Sequence, residues 1–143
     1  MWSYNGEEFT SEMIGGRIGF VYEILDKTNG KKYLGKKKFW SKTTRPPLKG
    51  KKRKRKIIKE SDWQSYHGSS EEVKTLVEEC GTDRFERKII HLCDSLGEMS
   101  YVEMREQIVR DVLLKPDEYY NAFVGGKIHR NHVKNLKIED LNK

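Results

Sequence analysis

Residues 18–35 read Ile-Gly-Phe-Val-Tyr-Glu-Ile-Leu-Asp-Lys-Thr-Asn-Gly-Lys-Lys-Tyr-Leu-Gly, and this stretch decides the fold. Its first eight residues are mostly β-branched, aromatic or aliphatic, which favours a strand. An Asn-Gly dipeptide within residues 26–30 is a strong signal for a hairpin turn, and residues 31–35 form the returning strand. Tyr22 lies on the first strand and Tyr33 on the second. The sequence therefore predicts two tyrosines on one rigid β-hairpin.

Basic residues are concentrated directly after this hairpin. The chain of 143 residues has a net charge of +7, and residues 31–59 hold fifteen of its 29 Lys and Arg but no Asp or Glu. The rest of the chain holds the other 14 basic side chains and all 22 acidic ones, so it is net acidic. Apolar residues interrupt the basic run, unlike a solvated tail or a nuclear-import signal. A local basic surface predicts a polyanionic partner, and a nucleic acid in particular.

Length, composition and cysteine content restrict the class of protein. The chain length suits one domain with a single core. No apolar stretch approaches the ~18 residues that a membrane span needs, and the N-terminus lacks the basic start and apolar core of a secretory signal. We therefore expect a cytoplasmic protein that does not bind membranes. Cys80 and Cys93 lie in apolar patterns, and we expect both to be buried, reduced thiols.

Capping signals predict two helices. Ser69 or Ser70 is expected to cap the first helix, which carries an apolar stripe and ends at Gly81. Ser100 is expected to cap the second, which runs over residues 101–114 and is followed by a proline.

A third strand is predicted at residues 85–93. The order of elements favours an α/β fold in which helices flank a small antiparallel or mixed three-stranded sheet. We expect an irregular N-terminal lead-in at residues 1–17, a domain at 18–124 with a basic insert loop at 36–59, and a basic tail at 125–143.

The hairpin resembles the two motifs of the GIY-YIG nuclease superfamily. The first motif of that family ends in a tyrosine, as residues 20–22 (Phe-Val-Tyr) do, and residues 33–35 (Tyr-Leu-Gly) are similar to the second. Downstream, residues 67–70, a glutamate-bearing helix and the Tyr-Asn pair at 120–121 are similar to later elements of the family.

The resemblance extends over roughly residues 18–132 and is closest to one group. Residues 35–38, 60–63 and 66–70 are similar to the Seg-type homing endonucleases that T-even-like phages encode. The resemblance implies a GIY-YIG-like fold and cleavage of DNA in the cytoplasm of a phage host. The sequence carries no signal for a particular oligomeric state.

The resemblance implies how a phosphodiester would be hydrolysed. One divalent ion, Mg²⁺ or Mn²⁺, would bind a helix glutamate, and Tyr33 would act as a general base or orient the water, with Tyr22 assisting. A phenol has an ordinary pKa of about 10, so a base needs nearby cations to lower it. Lys36, Lys37 and Lys38 follow Tyr33 closely enough to be expected to do so.

Two glutamates compete for the metal-binding role. Glu103 follows Tyr101-Val102, a context similar to the family's motif, and it is the favoured ligand. Glu106 lies at the margin of the helix's apolar face and is the alternative. A single carboxylate that leaves most coordination positions to water and phosphate suits Mg²⁺.

The sequence departs from the family at its catalytic arginine. The family carries one on the helix after the second motif, but the matching residues 61–64 are Ser-Asp-Trp-Gln. Arg45, Arg53 and Arg55 of the basic insert, or a lysine after Tyr33, are the candidate sources of that cation. Arg55 and Lys37 are the residues assigned to catalysis on this ground.

The remaining binding residues are polar or basic side chains of the insert and of the later motifs. The residues expected to bind nucleic acid are Lys36, Lys38, Arg45, Lys51, Lys52, Arg53, Lys54, His67 and Asn121. The spacing of His129 and His132 is compatible with a metal site, but a DNA-contacting tail is the favoured interpretation.

Two other functions stay open at this stage. The missing arginine is compatible with a catalytically inactive DNA-binding module on the same fold. Phosphate contacts alone do not distinguish DNA from RNA, so an RNA-binding or RNA-processing protein is the other alternative.

Overall fold

A five-stranded sheet forms the centre of the protein. The computed structural model describes residues 1–125 and 130–141. Its strands are β1 (Trp2–Tyr4), β2 (Glu7–Phe9), β3 (Gly19–Asp26), β4 (Lys32–Lys38) and β7 (Phe85–Cys93). The strand order is β2-β1-β7-β3-β4, with β1 and β7 parallel and the other neighbours antiparallel.

The N-terminal lead-in belongs to this sheet, so the expectations of an irregular segment and of a three-stranded sheet are wrong. β1 and β2 form a hairpin, and Trp2 of β1 lies opposite Arg87 of β7. The buried indole of Trp2 donates a hydrogen bond of 2.6 Å to the carbonyl of Trp63. Strands of three residues are too short to show a full alternation of apolar and polar positions, which explains why the sequence pattern missed them.

The β3–β4 hairpin is confirmed. Tyr22 lies opposite Gly35, and Ile24 lies opposite Tyr33. In the turn, Gly30 has a φ of 77°, which suits glycine because a Cβ is strained in this region. β4 extends to Lys38, so the first three lysines of the expected insert loop lie on a strand.

The rest of the expected insert loop is a second hairpin. β5 (Trp40–Arg45) pairs with β6 (Arg55–Glu60) in a separate two-stranded sheet. The register runs from Trp40 opposite Glu60 to Arg45 opposite Arg55. We call residues 40–60 the basic hairpin.

The first helix agrees with the sequence analysis. α1 (Glu71–Cys80) is capped by Ser70, whose hydroxyl accepts a hydrogen bond from the amide of Val73, and it ends at Gly81.

The two cysteines differ in burial. Cys80 is exposed, so the expectation of a buried thiol is wrong there, whereas Cys93 is buried. No helix in the described part of the chain is long and apolar enough to cross a membrane.

The second helix begins earlier than predicted. α2 (Leu96–Val109) is capped by Ser95, whose hydroxyl accepts a hydrogen bond of 3.1 Å from the amide of Glu98. Ser100, the predicted cap, therefore lies inside the helix. Residues 112–114 form a separate 3-10 turn, because the chain leaves the helix at Asp111, where φ is 54°.

Helices cover both faces of the sheet, as predicted. α1 packs through Val73 on a face rich in aromatic rings, and α2 packs through Met99 and Val102 on the opposite face. Leu136 and Leu141 pack against the α2 cluster. Part of the expected basic tail is therefore docked on the domain, including α3 (Ile138–Leu141). The aromatic members of the first face are Trp2, Phe9, Phe20, Tyr22, Phe39, Trp63, Phe85 and Tyr120.

Residues 118–121 cover the outer edge of β4. The amide of Lys32 donates to the carbonyl of Glu118, and the amide of Tyr120 donates to the carbonyl of Lys32. The Tyr120 hydroxyl donates a hydrogen bond of 2.6 Å to the carboxylate of Asp26 at the end of β3. Arg84 binds the same carboxylate at 2.6 Å. Burial acts to raise the pKa of Asp26, but these donors outweigh it and hold the pKa below the ordinary value.

We expect Asp26→Asn to lower the free energy of unfolding by about 2 kcal/mol, because it removes a buried ionic acceptor from Arg84 and Tyr120. Since the folded-state pKa of Asp26 is lowered, its contribution is present above the ordinary aspartate pKa of about 3.9 and is lost as the pH falls further. Urea unfolding at pH 7 and at pH 3 measures both effects, with the exposed Asp83→Asn as the control. Equal losses in the two variants would contradict the assignment.

Candidate active site

The two hairpin tyrosines belong to one cluster of phenols. Tyr22 is completely buried, and its ring centroid lies 6.3 Å from that of Tyr33 and 6.0 Å from that of Tyr66. Burial raises the pKa of Tyr22 well above that of a free phenol, and Tyr66 and Tyr33 act in the same direction. Tyr22 therefore stays protonated at neutral pH.

Two glycines make room for these rings. A Cβ on Gly35 would overlap the hydroxyl of Tyr22, and a Cβ on Gly68 would lie 3.2 Å from the ring of Tyr33. Gly68 also has a φ of 91°, which side chains other than glycine adopt with strain. The second motif therefore requires a glycine at position 35, because a larger residue there would displace the ring of Tyr22.

The phenol of Tyr33 is held at the mouth of a cleft. Its hydroxyl shares a hydrogen bond of 2.7 Å with the hydroxyl of Ser69. Burial raises the pKa of Tyr33, and Tyr66 and Glu103 add to this, although the hydrogen bond with Ser69 opposes them. The expectation that nearby lysines lower this pKa is therefore wrong.

Two of the three lysines that follow Tyr33 on β4 are engaged elsewhere. The Nζ of Lys36 donates a hydrogen bond of 2.8 Å to the hydroxyl of Ser100 on α2. The Nζ of Lys37 lies 2.6 Å from the carboxylate of Asp62 and 4.2 Å from the ring centroid of Tyr66. Alternating side chains of a strand point to opposite faces, which separates Lys36 from Lys37.

Glu103 faces the same cleft as Tyr33. The cleft has a volume of about 470 Å³, and Tyr33, Ser69, Glu103, Gln107 and Asn121 are among its lining residues. Burial raises the pKa of Glu103, and the nearby Lys36 opposes this increase. Within residues 1–125 and 130–141, no side chain or amide donates a hydrogen bond to Glu103. The arrangement is a partly desolvated carboxylate that can accept a cation.

Glu106, the alternative ligand, is already paired. Its carboxylate lies 3.2 Å from the Nε of Arg110 and 3.5 Å from the guanidinium of Arg105. Arg110 in turn binds Glu23 of β3 at 2.8 Å. Glu106 therefore takes part in an ion-pair network between α2 and the sheet, and it lines a different cavity.

The arginines of the basic hairpin do not reach the tyrosines. Arg45 and Arg55 face each other at the far end of the hairpin, and the Nε of Arg55 donates to the carbonyl of Pro46. Arg53 lies in the connecting loop at residues 46–54, together with Lys51, Lys52 and Lys54. The structure thus places Lys36 near the cleft and Arg55 away from it.

Asn121 is a positioning residue. Its Oδ1 accepts from the amide of Leu34 at 3.0 Å, and its Nδ2 donates to the carbonyl of Leu34 at 2.8 Å. Gln107 of α2 donates to the same carbonyl at 3.2 Å. Both amide atoms of Asn121 thus bind backbone, and the residue is buried, so its side chain fixes the second motif. Sequence reasoning missed Gln107, which stands out only as a polar residue on the buried side of α2.

Histidines were predicted to be functional at position 67 and in the C-terminal tail. The Nδ1 of His67 lies 2.8 Å from the carbonyl of Ser65, and burial together with Arg87 lowers the pKa of His67. His67 is therefore neutral at pH 7 and is absent from the lining of the cleft. Of the proposed histidine pair in the tail, His129 lies outside the described residues, and His132 packs over Gly97 of α2.

The geometry defines a class of protein. A tyrosine on each strand of a β-hairpin, a helix glutamate facing one of them, and an asparagine that fixes the second motif are the elements of a GIY-YIG nuclease domain. Residues 2–124 match the family described as "Putative endonuclease segE, GIY-YIG domain". The chain belongs to this family, and membership implies a nucleic acid as substrate.

The same match covers the lead-in as well as the predicted domain, in agreement with the five-stranded sheet. Comparisons with curated proteins and with solved structures found no match.

We expect Gly35→Ala to lower the free energy of unfolding by about 1–3 kcal/mol, because its methyl group would displace the ring of Tyr22. Gly16→Ala is the matched control, since a Cβ there meets no atom within 4 Å. Urea unfolding followed by tryptophan fluorescence compares the two. Equal unfolding midpoints would show that Tyr22 does not occupy the space above Gly35.

Proposed function

We propose that the protein is a metal-dependent endonuclease that hydrolyses phosphodiester bonds of DNA. The observation that carries this proposal is the meeting of Glu103 and Tyr33 in one cleft, with Lys36 beside the carboxylate. Hydrolysis of a phosphodiester requires an activated water, a cation near the developing charge and help for the leaving oxygen. Tyr33 in the cleft and Lys36 near it offer a residue for each of the first two requirements.

Glu103 would hold the metal ion. A carboxylate oxygen is a ligand that Mg²⁺ and Mn²⁺ prefer, and one protein ligand leaves positions for water and for phosphate oxygens. The donor set fits this ion because, among residues 1–125 and 130–141, Glu103 has no competing ion pair of the kind that occupies Glu106. When bound, such an ion supplies a Lewis acid and lowers the pKa of a coordinated water.

Tyr33 would act as a hydrogen-bond donor. Its raised pKa keeps the phenol protonated at neutral pH, which favours orientation of the water or of a phosphate oxygen over proton abstraction. Tyr22 has an indirect role, because its ring packs against the backbone of the second motif at Gly35 and holds it in place. Ser69 fixes the direction of the Tyr33 hydroxyl.

Lys36 would replace the family's arginine. Its ammonium group lies against α2 near Glu103, and a lysine can stabilise a phosphate as a point charge. Lys37 is held by Asp62 on the other face of β4, so it is the weaker candidate. On the resemblance to Seg-type enzymes we further propose a phage-encoded, homing-type role in the cytoplasm of the host cell.

Glu103→Gln is expected to reduce Mg²⁺-dependent nicking of supercoiled plasmid at least 100-fold, because the neutral amide is a poor ligand for the ion. Glu106→Gln is the matched control on the same helix, and we expect it to retain activity within about threefold. DNA binding, measured by fluorescence anisotropy, should be nearly unchanged in both variants.

Each alternative gives a different result in this experiment. Loss of activity in Glu106→Gln alone would reassign the metal ligand. A wild-type protein that binds DNA but never nicks it with Mg²⁺ or Mn²⁺ would overturn the proposal in favour of an inactive binding module. Cleavage of structured RNA in preference to duplex DNA would overturn DNA as the substrate.

Lys36→Gln is expected to move the acid limb of the pH–rate profile to higher pH. Burial raises the pKa of Glu103 and Lys36 opposes it, so removal of Lys36 leaves the carboxyl protonated over a wider range. Activity is lost as the pH falls, because the protonated acid does not bind the ion. Single-turnover rates between pH 5 and pH 8 measure the limb, with Lys38→Gln as the charge-matched control. Identical limbs in both variants would contradict the coupling.

A further inference from the structure

The basic hairpin forms its own two-stranded sheet beside the domain. Trp40 at its base packs against the aromatic core, but most of its side chains are exposed, including Ile58 at 61%. An isolated two-stranded hairpin is only marginally stable in water, so contact with a partner would stabilise it. This element is therefore a candidate surface for a partner.

The charge of the hairpin tip identifies the kind of partner. Residues 45–56 contain eight Lys or Arg and no acidic residue. Arg45 and Arg55 lie directly opposite each other in the register, where like charges destabilise a strand pair. Binding to a polyanion would relieve this repulsion and release counterions from the nucleic acid.

Each face of the hairpin has a composition that suits a nucleic-acid groove. One face carries the opposed pairs Trp40–Glu60, Lys42–Ile58 and Thr44–Lys56, and the other carries Ser41–Lys59, Thr43–Ile57 and Arg45–Arg55. On each face the methyl groups of one isoleucine and one threonine are bordered by cations. Methyl groups of this kind contact base edges, including the methyl group of thymine, while flanking cations contact phosphates.

We propose that the basic hairpin inserts into the major groove of B-form duplex DNA and that this contact selects the substrate of the proposed nuclease site. The major groove of B-DNA is about 12 Å wide and admits a two-stranded β-ribbon. The major groove of A-form RNA is too deep and narrow to admit it. The inference rests on the proposed function, and it separates duplex DNA from duplex RNA as the partner.

The base of the hairpin is fixed to the domain near the cleft. The amide of Phe39 donates to Ile18, the amide of Ser61 donates to Phe39, and the indole of Trp40 donates to Arg17. A groove of about 970 Å³ separates the hairpin from the start of α2, and its basic lining consists of Lys36, Lys37, Lys38, Lys42 and Lys59. This basic path leads from the hairpin to Lys36 and can carry one DNA strand to the cleft.

Groove-specific competition tests the inference. The probe is a fluorescent 20-base-pair DNA duplex, bound by the Glu103→Gln variant so that cleavage does not interfere. Methyl green, which occupies the major groove, is expected to displace the protein, whereas netropsin, which occupies the minor groove, is not. An RNA duplex of the same sequence is expected to bind at least tenfold more weakly.

Charge removal at the tip supplies the second measurement. Arg45→Gln with Arg55→Gln is expected to weaken DNA binding at least tenfold and to reduce the slope of log Kd against log salt by about 2. Lys74→Gln with Lys115→Gln removes the same charge from exposed positions elsewhere and should cost less than threefold. Circular dichroism checks that both double variants fold.

The outcomes separate this inference from the proposed function. Displacement by netropsin alone, or equal binding of the RNA duplex, would overturn the placement in the major groove even if the wild-type protein cuts plasmid DNA. Displacement by methyl green with no nicking by the wild-type protein would leave the hairpin contact in place and overturn the nuclease activity.

Discussion

The hydrogen bonds on the backbone of Leu34 are the constraint on which the site depends. Leu34 lies on β4 between Tyr33 and Gly35, and Asn121 binds both its amide and its carbonyl. Gln107 binds the same carbonyl from α2, one helical turn beyond Glu103. Three segments that are far apart in the sequence therefore meet at the backbone of one residue. We call the hydrogen bonds of Asn121 and Gln107 to Leu34 the clamp. Because the clamp joins β4 to α2, it sets the position of the Tyr33 phenol relative to the Glu103 carboxylate.

A partly buried polar cluster lies beside the clamp. Tyr22, Tyr33 and Glu103 all have raised pKa values, and burial is the main cause in each case. Burial of a charged carboxylate is unfavourable, so an ion that binds Glu103 would remove part of this cost. Under the proposed function, Lys36 would supply part of that positive charge in place of the arginine that the family carries on a helix.

The sequence predicted the parts of the fold that depend on local signals. The Asn-Gly turn predicted the β3–β4 hairpin, and the Ser70 cap with Gly81 predicted α1. The start of α2 was wrong because Ser95 caps the helix, and Gly97 in its first turn obscured the helical pattern. The strands of the lead-in are too short for periodicity, and they form because β7 offers them a partner. The basic hairpin was missed because its strands are polar on both faces, so no apolar alternation marked them.

The candidate site, like the fold, was predicted only where local sequence signals were sufficient. Motif resemblance indicated Tyr22, Tyr33 and Glu103, but it could not show that Lys36 lies against α2 or that Glu106 is paired with Arg110. These contacts arise from the register of β4 and the rotation of α2, which no single stretch of sequence contains. The wrong expectation for the pKa of Tyr33 has the same origin, since closeness along the chain placed three lysines beside it. In the folded protein Lys36 binds Ser100 and Lys37 binds Asp62 instead.

A double-mutant cycle on Tyr33→Phe and Glu103→Gln tests whether these two residues act on one phosphodiester. Single-turnover nicking rates would be measured for the wild type, the two single variants and the double variant. The account predicts a large loss in each single variant and a double variant little slower than the worse of the two, because residues that serve one reaction centre are not additive. Fully additive losses, or a loss in only one of the single variants, would contradict it.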